Sequence, residues 1–420
     1  MRPILPALFL LFSVSLVRAQ TPGWFTYDTT NSAIPSNIVT AVETDNQNAI
    51  WVGTANGLAK FEDFFNWTLW STDNSDLPDN WITSLHIDNA GKVWIGTLSG
   101  GLAVYQAGAF TVYNTQNSPL TVNHITAVDF QGAVAWISTD GGGLYRFDGA
   151  TWQNFNSANT GFEMDVCYDV AVDAAGNKWI GTLSEGLLKL TGSVITGFDP
   201  SDSDLPFEFV RSVAVENDTT IWVGMGYTDN DSALARFNGN TSFNIYSENT
   251  VPDIHFRNVW DILVTPEGEK WFCTNDLDHG VIQYNDTLFR DYGSFNSGLP
   301  YNRVYAAAKD TGNLWFATLR GLAVFNEANA FLAVPEVQPL LTAQPFPNPA
   351  SEIVNVAISP QIHQARISVF ATDGKAVLSK QVNDLAEGRM VLSVEALSPG
   401  FYFAAVQAQG RTDYFKFIKQ

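Results

Sequence analysis

A seven-bladed β-propeller followed by a small β-sandwich is the all-β fold class this sequence predicts, and three observations predict it. The phrase Ile50-Trp51-Val52-Gly53-Thr54 returns six more times, its tryptophan recurring as Trp94, Trp136, Trp179, Trp222, Trp271 and Trp315 at intervals of 43, 42, 43, 43, 49 and 44 residues. Periods of that length mark radially repeated sheets. A turn and a Gly-Leu-x-x-aromatic run follow most copies, as in Gly101 to Tyr105 and Gly321 to Phe325, so each copy supplies a hairpin. The tryptophan period then stops near Pro335, and the Pro-rich stretch Gln344-Pro345-Phe346-Pro347-Asn348-Pro349 leads into short alternating runs of another kind.

Taken in order, Met1-Arg2-Pro3, the apolar run Ile4 to Val17 and Arg18-Ala19-Gln20 have the form of a secretory signal peptide, residues 1–19. Next, Gly23-Trp24-Phe25-Thr26-Tyr27 resembles the last run of later repeats, such as Trp67 to Trp70 and Phe110 to Tyr113. The seventh repeat lacks that run, passing after Phe325 into Ala330 to Pro335. Residues 24–27 are therefore expected to complete the seventh blade and close the ring, which removes open sheet edges. Inner strands are expected at 38–43, 81–87, 124–129, 166–172, 209–215, 258–264 and 303–308, rich in Val, Ile and Ala as strands buried on both faces should be. Asp88-Asn89-Ala90-Gly91 and Asp173-Ala174-Ala175-Gly176 then read as tight turns. The expected divisions are a propeller over 20–333, a linker over 334–344 and a sandwich over 345–420, with runs such as Ile353 to Ile358 and Phe401 to Ala408 as its strands.

The chain carries a formal net charge of −21, and the charge is unevenly spread: 345–420 hold 7 basic and 6 acidic residues, 20–344 hold 13 and 37. Such a field repels phosphate backbones and argues against a nucleic-acid partner. Cys167 and Cys273 fall in different repeats, which implies no disulfide framework, and no zinc-type His/Cys spacing occurs. After the signal no stretch approaches the roughly 18 apolar residues of a spanning helix. A monomer is expected.

Within one period, Asn-x-Val-x-x-Val/Leu-x-x-Asp, Trp-Ile-Gly-Thr and Gly-Leu-x-x-Phe resemble the two-component regulator propeller repeat, over about 24–327. That repeat is best known from extracellular sensor regions, so the resemblance implies a detached, ligand-binding propeller. In the tail, Pro347-Asn348-Pro349-Ala350, Asp373-Gly374-Lys375, Leu397-Ser398-Pro399-Gly400-Phe401-Tyr402 and Lys416-Phe417-Ile418-Lys419 resemble the type A sorting domain of type IX secretion cargo. This implies handling by the type IX machinery of a Bacteroidota-type bacterium, passage through the periplasm, and release or attachment at the outer surface.

The residue opening each inner strand varies while its neighbours keep the pattern: Ile38, Trp81, His124, Val166, Phe209, Asn258 and Arg303. That suits a channel mouth of mixed chemistry. The irregular fifth and sixth repeats add the loops 226–232, 251–256 and 275–279, and insertions on a repeat framework often mark the functional face. Trp81, Tyr227 and Phe256, taken as exposed, could stack on sugar rings while His255, His279 and Asp side chains bond hydroxyls. Asp229, Asp231, Asp276 and Asp278 could alternatively hold Ca²⁺, although no cofactor is required. Two function classes result. One is a non-catalytic binding module for a glycan or other surface ligand. The other is a metal-dependent lyase or hydrolase, because Trp271-Phe272-Cys273-Thr274 and Trp315-Phe316-Ala317-Thr318 faintly resemble the phrase of streptogramin-type lyases, with His255 and His279 as proton-transfer candidates. With no nucleophile elbow, phosphate loop or paired-carboxylate motif in view, binding is the favoured class.

Overall fold

The computed structural model describes residues 23–326, without 64–65, 227–232, 240, 248 and 253, and 345–420, without 359–361, 363, 372–374, 383–388 and 409–410. The signal peptide and the linker of the sequence reading lie outside these residues.

The repeat phrase folds the same way in each blade. Its strand is buried at every position in Ile50–Thr54, Val93–Thr97, Lys178–Thr182, Lys270–Thr274 and Leu314–Thr318. The closing threonine shuts the following turn: Thr54 Oγ1 donates to the Gly57 carbonyl at 2.8 Å and Thr97 Oγ1 to that of Gly101 at 2.6 Å. Gly101 has φ of 95°, and a Cβ there would lie 2.3 Å from the Tyr113 carbonyl oxygen, so a glycine is required. The glycine before the threonine has a different reason, since a Cβ on Gly53 would lie 2.6 Å from Ile82 Cγ2 in the next blade. The tryptophan is pinned by its own turn: Nε1 of Trp94 donates to Asp88 at 3.0 Å, that of Trp179 to Asp173 at 3.0 Å and that of Trp315 to Asp310 at 2.8 Å. The turn aspartates thus bond the repeat tryptophans as well as their own turn backbone.

Seven four-stranded antiparallel sheets result, each running from an inner to an outer strand. The inner strands are Val39–Thr44, Ile82–Ile87, Ile125–Gln131, Cys167–Val172, Val210–Asn217, Val259–Val264 and Val304–Lys309. Burial on both faces, expected for them, belongs instead to the tryptophan strands. In Ile82–Ile87 only Ile82 and Leu85 are buried, the rest being half-buried, because inner strands border the central channel. In the seventh sheet Gly23–Tyr27 pairs antiparallel with Gly321–Asn326, Trp24 opposite Phe325, and so forms its outer strand. The Trp24 ring lies 4.7 Å from Phe325, and Tyr27 reaches the first blade at Phe61, 5.2 Å away. Thr44 Oγ1 donates to the Lys309 carbonyl at 2.9 Å, joining first and last inner strands. Both cysteines are buried and free.

The chain divides between Asn329 and Ala330 into two compact units. In the second unit a four-stranded sheet, in the order Ala376–Val382, Ala365–Ala371, Gly400–Ala408, Arg411–Lys419, accompanies the pair Ile353–Ala357 and Arg389–Ser393. Val354, Val356, Ile367, Val369, Leu392 and Phe417 meet in its core. Among the described residues no helix is long and apolar enough to cross a membrane.

Candidate functional site at the central channel

Each residue that opens an inner strand is tied to the residue after the tryptophan strand of its own blade. Leu98 N donates to the Trp81 carbonyl at 3.0 Å, Asp140 N to that of His124 at 3.1 Å, Gly226 N to that of Phe209 at 3.2 Å and Leu319 N to that of Arg303 at 3.2 Å. These bonds gather the variable positions at one end of the ring. Below them a cavity of about 630 Å³ is bordered by all seven inner strands, with Trp81, Leu98 and His124 on its rim. Nδ1 of His124 lies 3.0 Å from the Asp140 carboxylate, which orients that ring.

Two residues further along each inner strand, the channel wall has two halves. Thr40, Thr83 and Thr126 fill this position in the first three blades, and their hydroxyls donate to the Ile82, Ile125 and Cys167 carbonyls of the next blade at 2.6, 2.5 and 2.6 Å. These side chains hold blades together. The other four blades carry Tyr168, Arg211, Trp260 and Tyr305 there, all bordering the cavity. The Arg211 guanidinium lies 4.6 Å from the Tyr168 ring and 4.8 Å from the Trp260 ring, and Trp260 lies 5.1 Å from Tyr305. Phe209 extends the row at 4.9 Å from Tyr168. Cation–π attraction and tilted ring–ring contacts keep this lane ordered.

The same cavity is bordered by carboxylates. Asp129 accepts from Val172 N at 2.6 Å, Asp169 from Val213 N at 2.8 Å and Asp261 from Ala307 N at 2.7 Å, so each bonds the inner strand of the following blade. Burial pushes Asp169 up to about 7 and Asp261 up to about 6, and raises Glu43 and Asp129 as well. Near neutral pH Asp169 is poised between donor and acceptor, a property suited to hydroxyl-bearing ligands.

The residues singled out in the sequence have different fates. Trp81 is 41% exposed at the rim, with His124 near it, and Phe209 joins the aromatic lane. Arg303 occupies the equivalent place in the seventh blade and is bridged to Asn275. Phe256, expected to be exposed, is wholly buried: it packs against Phe289 at 5.4 Å and Phe272 at 6.4 Å in the core between blades, so it offers no ring to a ligand. His255 and His279 do come together, with ring centroids 5.3 Å apart. His279, however, is only 7% exposed and its Nδ1 lies 3.2 Å from the Asp291 carboxylate, which raises its pKa. That enclosure makes it a packing residue and removes it from direct contact with a ligand. Tyr227, Asp229 and Asp231 lie outside the described residues. Asp276 accepts from Asp278 N at 3.2 Å, and among the described residues no group of three or more His, Cys, Asp or Glu is placed to hold a metal ion.

The aromatic lane lies beyond the variable opening residue of the inner strand that the sequence singles out. Its signal is present one alternation further in, where aligned repeats read Thr, Thr, Thr, Tyr, Arg, Trp, Tyr.

Residues 344–420 match the family described as secretion system C-terminal sorting domain, and residues 76–99, which span the rim residue Trp81 and the second tryptophan strand, match the two component regulator propeller. The chain thus resembles the two component regulator propeller in one blade and the secretion sorting domain along its tail. Its tail directs this propeller protein to the cell surface or the extracellular space. The extracellular domain of BT3049, named as a hybrid two component system of B. thetaiotaomicron, aligns with 95% of the propeller protein at a TM-score of 0.61 and 18% identity. That of BT4673 from the same organism aligns with 95% at 0.60 and 15%. PorZ of Porphyromonas gingivalis, described as an essential surface component of the type IX secretion system, aligns with 94% at 0.55 and 14%. The chain spans 58%, 58% and 60% of these three proteins, and at such identities the likeness is one of fold. No curated protein matches.

Proposed function

We propose that this surface propeller is a non-catalytic binding module that takes a carbohydrate into the mouth of its central channel. One observation carries the reading: Tyr168, Trp260 and Tyr305 line one wall of a cavity of about 630 Å³ whose opposite rim bears Trp81. Cavities of about 300 to 1,000 Å³ are the usual size for small ligands. Aromatic faces suit the apolar faces of pyranose rings, and the carboxyls of Asp169 and Asp261 suit their hydroxyls. The first three blades use their equivalent side chains to join neighbours, so the aromatic wall is a departure that blade packing does not require.

The test is a glycan array with residues 20–335, followed by titration of each hit against tryptophan fluorescence. Trp260→Ala should weaken binding by about tenfold or more, as truncation of an aromatic hot spot does. Its melting temperature should stay close to that of the parent. Undiminished binding by Trp260→Ala and Tyr305→Ala would remove the channel as the site.

A further inference from the structure

The sequence landmarks of the tail are far apart in the chain, yet three of them meet along its last strand. Gly400–Ala408 pairs antiparallel with Arg411–Lys419, placing Phe401 opposite Ile418, Tyr402 opposite Phe417 and Phe403 opposite Lys416. Tyr402 and Phe417 point into the core, 8% and 1% exposed, with ring centroids 5.5 Å apart. Strand alternation then puts their neighbours on the other face. Phe401 is 64% exposed and Phe403 52%, and Lys416 beside them is exposed. Phe370, opposite Phe403 on the adjoining strand, extends the apolar row, and the exposed Arg366 stands further along that strand. The third landmark covers the C-terminal end of the outer edge: Ile418 N donates to Asn348 Oδ1 at 2.9 Å, and Ala350 bridges to Lys419.

The geometry points to the outer face of this sheet, centred on Phe401 and Phe403 and flanked by Lys416 and Arg366, as the surface by which the tail docks on an acidic-rimmed apolar groove of the secretion machinery. Three points argue for it. Two phenylalanines held in water on a regular strand contribute nothing to the core, and exposed apolar patches of this kind mark interaction sites. Strand addition beside Lys416 is blocked, because Asn348 and Ala350 already bond Lys416, Ile418 and Gln420 along that end of the edge, which leaves the face there. The exposed Lys416 opposite Phe403, with Arg366 further along the same face, calls for a carboxylate-bearing partner, since complementary charge fixes partner choice and orientation.

The test uses the full chain in a bacterium with type IX secretion. The variants are Phe401→Ser with Phe403→Ser, Lys416→Glu alone, and a control, Val391→Ser, on the other strand pair of the tail, where Val391 is 43% exposed. Propeller and tail in periplasmic and external fractions are quantified, and thermal unfolding of each purified chain checks folding. The double variant should lower export by about tenfold or more, and Lys416→Glu should lower it with no loss of folding, while Val391→Ser exports like the parent. Parental export by both face variants would overturn the proposal. So would a shift of the parent to dimer that the double variant abolishes while export is unchanged, because the face would then join two copies of this chain.

Discussion

At the scale of single residues, the carboxylate five or six positions before a repeat tryptophan is the clearest link between sequence and stability. Asp173 accepts from Asn177 N at 2.7 Å through one oxygen and from Trp179 Nε1 at 3.0 Å through the other, and Trp179 is fully buried. Removing an acceptor from a buried donor costs about 1–3 kcal/mol, because the N–H is left without its partner. Asp173→Ala should therefore lower the unfolding free energy by roughly 2 kcal/mol in urea titration. Asp173→Asn, which keeps acceptor and shape, should recover about half of that. A loss no greater than that of an exposed surface change, within about 0.5 kcal/mol, would show that the pin is idle. Two blades lack the device. Trp136 and Trp271 have Phe130 and Thr265 at that position, and the Nε1 atoms of both are buried without a hydrogen-bond partner.

At the scale of strands, the ring depends on an element taken from the opposite end of the domain. Gly23–Tyr27 gives the seventh blade its fourth strand, and Trp24 packs within 5.9 Å of Tyr292, Phe316 and Phe325. Deleting residues 20–28 should expose the Gly321–Asn326 edge and strip that aromatic cluster, so the protein should aggregate or melt at a markedly lower temperature. A monomer with the parental melting temperature would overturn the role given to this strand. The strand was legible in the sequence because its Trp-Phe-Thr-Tyr run repeats one found in other blades, at a place where the seventh has none. Inner-strand positions were legible for the same reason, each beginning 11 or 12 residues before a tryptophan. Burial was harder to read. Phe256 and Trp81 are both aromatic residues in loops next to inner strands, yet one is enclosed and the other open, since packing between blades, absent from any one-dimensional pattern, decides which way each ring turns. The channel lane lay hidden for a related reason: an alternating strand shows which residues share a face, but only ring closure makes one face of seven strands into a wall.

At the scale of the whole molecule, closure also sets the response to pH. Bringing seven inner strands around one axis places Glu43, Asp129, Asp169 and Asp261 about a common channel, where burial, and repulsion among several of them, opposes ionisation. Asp169 titrates at about 7 and Asp261 at about 6 in the folded protein, against an ordinary carboxyl value of about 3.9 in the unfolded chain. A group whose folded pKa is raised contributes stability that is complete below the unfolded value and is lost as pH rises through the folded value. The Asp291 carboxylate raises His279 too, and this adds a contribution of the same sign at higher pH. On the surface, Asp28, Asp148 and Glu267 are lowered by hydrogen bonds, so they act in the opposite sense and weaken the fold only below the ordinary carboxyl range. The melting temperature should accordingly peak near pH 4, about the ordinary carboxyl value, and fall from there towards pH 7, the opposite of the usual loss on acidification. Asp169→Asn should flatten the limb between about pH 4 and 7, because the substituted amide does not titrate. Differential scanning calorimetry at half-unit pH steps on residues 20–335 checks both outcomes. A melting temperature that rises from about pH 4 to 7, or a slope untouched by Asp169→Asn, would mean that the channel carboxyls are ionised throughout that range in the folded ring.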